Sequence, residues 1–85
     1  MPKVSEFYGV VIRMFYNEHG PPHFHAEYGG KRASIGFAGE LLRGDIPPRA
    51  LRLVREWTRL RRSDLDANWA LARAGEPLAR IEPLE

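Results

Sequence analysis

Cysteine is absent from this chain of 85 residues. That excludes disulfides and thiolate metal sites, and it fits a reducing compartment. Long apolar runs are absent too: stretches such as Val10-Val11-Ile12 are far too short to cross a bilayer. The N-terminus has no basic-then-apolar secretion signal, so a soluble cytoplasmic protein with no membrane partner is expected. No internal repeat and no low-complexity segment interrupts the chain. Residues 1–85 are therefore expected to form a single domain. A domain of this size buries a modest fraction of its surface, and its stability is expected to be small.

Acidic and basic residues nearly balance, at 11 and 13, but they are unevenly spread. Residues 43–62 carry seven arginines against Asp45 and Glu56. Residues 63–85 carry two arginines against five acids, and residues 1–42 carry four of each sign. The chain is bipolar with a basic middle, which can attract nucleic acid or an acidic protein.

Residues 7–16, β-branched and aromatic, read as one strand. Residues 17–22 read as a loop, because glycine and two prolines punctuate there. Residues 23–28 alternate polar and apolar and give a second strand. Gly29-Gly30 suits a hairpin turn, residues 33–37 give a third strand, and Leu41-Leu42-Arg43 adds a short edge strand. The period then changes from two to 3.6. Asp45, Pro47 and Pro48 suit a helix start. Ala50, Leu53, Val54, Trp57 and Leu60 fall on one side of this helix. Arg49, Arg52, Arg55, Arg59 and Arg62 fall on the other. Ser63 and Asp64 can cap a second helix, whose buried stripe is Leu65, Trp69 and Ala72. Gly75 followed by Glu76-Pro77 stops it, leaving an extended tail over residues 76–85.

The expected fold is α+β: an antiparallel meander of three to four strands over about residues 7–43, then two helices over about residues 47–74 packed on one face. The covered face takes Tyr8, Val10, Ile12 and Met14 from the first strand. Phe24, Ala26 and Tyr28 join from the second, and Ala33, Ile35 and Phe37 from the third. The opposite face holds Val11, Arg13, His23, His25, Glu27 and Ser34. Gly9 and Gly36 beside them leave it shallow and accessible. Trp57 and Trp69 fall on the buried stripes and belong to the core.

All three histidines lie within seven residues, at positions 19, 23 and 25. On a strand, His23, His25 and Glu27 point the same way. Two imidazoles spaced about 7 Å along a strand can reach one ion, with Glu27 or His19 as a further ligand. A divalent metal such as zinc or nickel suits imidazole. The same groups suit acid–base chemistry on RNA: His23 or His25 as the base and Arg13 across the sheet as the cation that steadies phosphate charge. A purely structural role, with the imidazoles hydrogen-bonded to the loop, fits the same spacing. No serine or cysteine nucleophile arrangement is present, and Gly29-Gly30-Lys31 lacks the following helix of a phosphate loop. The arginines of the first helix, together with Glu27, are candidate binding groups for an acidic partner. A solvated helix face is the plain alternative.

Several blocks resemble a known family. They are residues 7–16, the histidine-rich block at 19–28, Gly44-Asp45-Ile46-Pro47, Arg49-Ala50-Leu51, Glu56-Trp57, Asn68-Trp69 and Gly75-Glu76-Pro77-Leu78. Together they look like the bacterial family called domain of unknown function 4160. The resemblance implies no chemistry and no site residue. It does imply a genetic neighbour, since genes of the family often stand beside a second small uncharacterised family in a toxin–antitoxin-like pair. The leading expectation is therefore an interaction module of such a two-gene or regulatory pair, binding a small protein encoded nearby. Nucleic acid and a second copy of the chain are further candidate partners. The alternatives are a His-dependent nuclease or phosphodiesterase and a metal-binding domain.

Overall fold

Tyr8 and Gly9 set the first turn of the molecule. In the computed structural model, which describes residues 2–16 and 18–85, both adopt positive φ, at 48° and 83°. Met1 and Asn17, the latter part of the expected 17–22 loop, lie outside the described residues. Two successive positive φ angles in a two-residue connection match the twist of an antiparallel hairpin. The single strand expected over residues 7–16 is therefore two strands, β1 (Lys3–Phe7) and β2 (Val10–Arg13), closed by the pair Phe7↔Val10. The apolar run is continuous through this turn, and Gly9 is its sole sequence mark. Tyr8, expected on the covered face, sits at the turn and is 61% exposed.

Three more strands follow: β3 (His23–Tyr28), β4 (Lys31–Gly36) and β5 (Leu41–Gly44). All five form one sheet in chain order, with every neighbour antiparallel. The meander and the α+β class are as expected, with one strand more.

Helix α1 (Pro48–Leu60) starts after Pro47 without a side-chain cap. Helix α2 (Arg62–Arg73) follows after Arg61 alone. Ser63 and Asp64 do not cap it; they lie in its first turn. The break is too short to need them, because the Leu65 amide already donates to the Arg61 carbonyl. Leu60, placed by periodicity on the apolar side, ends α1 and is 51% exposed. The end of α2 is as the sequence indicates. Gly75 takes φ +72°, its amide donates to the Ala72 carbonyl, and the Glu76 amide donates to the Leu71 carbonyl. That pair of bonds is a Schellman stop, and glycine takes the left-handed position without a Cβ clash.

The core lies between the helices and one sheet face. Val10, Ile12, Phe24, Ala26 and Ile35 point into it and are fully buried. Trp57 fills its centre, its ring 5.4 Å from Phe7 and 5.5 Å from Phe24. The tail beyond Gly75 has no regular structure, yet it is a strap. The Ile81 amide donates to the Val4 carbonyl at 2.7 Å, and the Trp57 indole donates to the Glu82 carbonyl at 2.8 Å. Asn68, buried on α2, exchanges two hydrogen bonds with the backbone of Ala79, at 2.8 and 3.0 Å. The strap thus covers the free side of β1 and pins both helices. Among the described residues no helix is long and apolar enough to cross a membrane.

Candidate functional site

The outer sheet face carries the histidines of β3, with His23 at the edge where α2 reaches it. Alternation turns Phe24 and Ala26 into the core and leaves His25 and Glu27 half-buried on the outer side. His23 shares their face but is not on open surface. It is 9% exposed, with its ring 5.7 Å from Trp69 of α2 and 5.3 Å from the His25 ring. The segment between β2 and β3 then folds back over this face. Phe15 sets its ring edge-on to His25 at 4.6 Å. Glu18 arrives between the two imidazoles, with its Oε1 2.6 Å from His25 Nε2 and 3.5 Å from His23 Nε2.

Each imidazole is oriented from its other nitrogen. His23 Nδ1 lies 2.9 Å from the Pro21 carbonyl, which can accept but not donate. His23 Nδ1 therefore carries the proton, and in the neutral ring Nε2 offers its lone pair toward Glu18 and His25. His25 Nδ1 stands 3.4 Å from the Ser34 hydroxyl. Burial raises the Glu18 carboxyl, but the hydrogen bond from His25 and the charges of His23 and His25 outweigh it. The net effect holds Glu18 below the ordinary carboxylate value. One ligand atom from each of Glu18, His23 and His25 lies within 4.8 Å of the others.

The residues picked out by spacing divide sharply. His23 and His25 come together. Glu27 turns away to an ion pair with Arg13, 3.1 Å from Oε2 to Nε. Arg13 is thus beside His25 in register yet held by Glu27. His19 is exposed and lines the clefts next to Glu18 without joining the cluster. Of the arginine set, Arg55 donates to the Gly39 carbonyl at 2.8 Å. Arg62 donates to the Phe37 carbonyl and to Asp66. Arg49, Arg52 and Arg59 are exposed and have no side-chain partner among the described residues. The residue missed by sequence reasoning is Glu18. It lies in a loop where no period applies, and the two prolines that turn the chain back are its one signal.

Glu18 borders three adjoining depressions. One, of about 390 Å³, is lined by His23, His25, Ser34, Leu42 and Arg43. The next, of about 360 Å³, adds Phe15 and Arg32, and a third, of about 210 Å³, reaches Trp69 and Arg73. Of the small residues expected to open this face, Ser34 alone floors a cleft beside the imidazoles. The Glu40 side chain occupies the space over Gly36, and Gly9 sits in the first hairpin turn beside the Tyr28 ring.

Among curated proteins and solved structures, none matches the chain. The sequence profile of one family does, over residues 9–70, a span that includes β2 to β5, α1 and most of α2. The chain belongs to the family described as a domain of unknown function, DUF4160.

Proposed function

We propose that this domain binds one divalent transition metal through Glu18, His23 and His25. The observation that carries the reading is the convergence of three donors from two chain segments, with ligand atoms within 4.8 Å of one another. Donors about 2.0–2.1 Å from a tetrahedral zinc lie roughly 3.3 Å apart. The 3.5 Å separation of Glu18 and His23 nearly meets that, and the 2.6 Å contact of Glu18 and His25 opens slightly once an ion replaces the shared proton. The Pro21 carbonyl and the Ser34 hydroxyl occupy the outer nitrogens, the supporting arrangement that fixes ligand imidazoles. Two histidines and one glutamate leave a fourth position open to water or substrate, as in zinc sites that do chemistry. Zinc and nickel both suit this donor set.

Elemental analysis of untagged protein is expected to give one metal per chain, lost in His25→Ala and in Glu18→Gln but kept in Glu27→Gln. Because the ion binds only the folded chain, metal at a hundred times its dissociation constant adds about 2.7 kcal/mol of stability. For a domain of this size that raises the melting temperature by roughly 10–20 °C. Metal-free protein that melts at the same temperature with and without zinc or nickel would overturn the assignment.

A second reading, an interaction module binding an acidic partner, is supported by a different surface. Arg49, Arg52 and Arg59 project from α1, exposed and without an ion pair among the described residues, with Glu56 the acid that α1 sets among them.

A further inference from the structure

Register places a row of polar side chains across the outer face of the sheet. Arg13 pairs with His25, His25 with Ser34, and Ser34 with Arg43. Directly paired residues share a face. The row therefore runs guanidinium, imidazole, hydroxyl, guanidinium over four strands. Neighbouring strands lie about 4.8 Å apart, which puts the backbone of Arg43 roughly 10 Å from that of His25. An arginine side chain spans most of that distance, and the short Ser34 between them leaves the cleft into which it can reach.

The two ends of the row differ. Arg13 is held by Glu27. Arg43 lines both clefts beside Glu18 and His25, and its neighbour Arg32 lines one. Both are exposed and form no side-chain hydrogen bond or ion pair among the described residues, Arg32 standing opposite Glu27, which is held by Arg13. Among the described residues Glu18 is the sole acid lining either of these clefts. With a divalent ion on Glu18, His23 and His25, the two arginines leave the cleft strongly positive.

We propose that this cleft binds a phosphate ester, one phosphoryl oxygen taking the open metal position and the others held by Arg43 and Arg32. The inference rests on the metal reading above. A guanidinium fork matches phosphate oxygens geometrically. A phosphate monoester also carries more charge than a carboxylate, and in either ester the non-bridging oxygens diverge from one phosphorus, so one can meet the ion while another meets the arginines.

Cobalt-substituted, untagged protein tests this, because the visible bands of cobalt report what enters its coordination shell. A tetrahedral spectrum is expected first, and inorganic phosphate is expected to shift it saturably. Arg43→Ala should weaken that apparent affinity about tenfold while leaving the phosphate-free spectrum unchanged. Arg80→Ala, in the tail strap and outside the cleft, should leave both unchanged. Uridine 5′-monophosphate and an eight-nucleotide RNA without terminal phosphates then separate the sources. A shift with the monophosphate assigns a monoester, and a shift with the RNA assigns the diesters of a chain. A cobalt spectrum that no phosphate compound moves, one moved by inorganic phosphate but by neither ester, or an affinity indifferent to Arg43→Ala overturns the phosphate proposal and leaves the metal site standing. Failure of cobalt to bind at all removes both.

Discussion

Glu18 shows how one side chain can hold a loop and a site together. Its carboxylate lies between His23 and His25, the two imidazoles that β3 presents, and so ties the segment between β2 and β3 to the sheet. Its carboxyl is held below its unfolded value of about 4.5, because the His25 hydrogen bond and the imidazole charges outweigh partial burial. A lowered carboxyl stabilises the fold wherever it is ionised in both states, above pH 4.5. That contribution fades as pH falls through the folded value. In metal-free protein, Glu18→Gln is therefore expected to lower stability at pH 6 by roughly 1–2 kcal/mol, the low end for a charge-assisted hydrogen bond because the carboxylate is partly exposed. At the acid end, where Glu18 is protonated in both states, wild type and variant should converge. Urea titrations at pH 6 and at successively lower pH measure this. A gap that does not narrow as pH falls would mean that the carboxylate charge contributes nothing.

Elements were legible in the sequence where period and punctuation agreed. The β3–β4 hairpin, both helices and the stop at Gly75 fall within a residue or two of their expected places. The Tyr8-Gly9 turn was hidden by an apolar run that continues on both sides. Asn68 was hidden differently. A buried amide on an otherwise apolar helix face signals a backbone partner, but that partner, Ala79, lies in a tail with no pattern of its own. Glu18 shares that difficulty, being defined by where a loop returns. At the hairpin, Tyr8 carries the one positive φ of a non-glycine residue among those described, and it is largely exposed. The first position of this turn favours asparagine, which tolerates the left-handed region. Tyr8→Asn is expected to stabilise the protein by about 0.5–1 kcal/mol, raising the melting temperature by a few degrees. A fall instead would mean that the Tyr8 ring contributes packing greater than the strain of its backbone.

Over the whole molecule, charge and covering are arranged so that two surfaces are left to interact. The helices cover one sheet face and the tail strap covers the free side of β1. What remains is the outer sheet face with its histidine cluster and the solvent side of α1 with Arg49, Arg52 and Arg59. Three exposed arginines against Glu56 on α1 make that second surface repel itself at low salt. An acidic partner relieves the repulsion, and we propose as the first one to try a small acidic protein encoded beside this chain. Light scattering at micromolar concentration is expected to give a complex of the two at low salt. The complex should weaken steeply by about 0.5 M salt, where exposed charges more than a few ångströms apart are screened. Replacing Arg49, Arg52 and Arg59 together by glutamate should abolish it, while His25→Ala should leave it intact, because the two surfaces are separate. Loss of the complex in His25→Ala would tie partner binding to the histidine cluster. Two proteins that stay monomeric at low salt would leave the arginines as a solvated face and the cluster as the functional part of the domain.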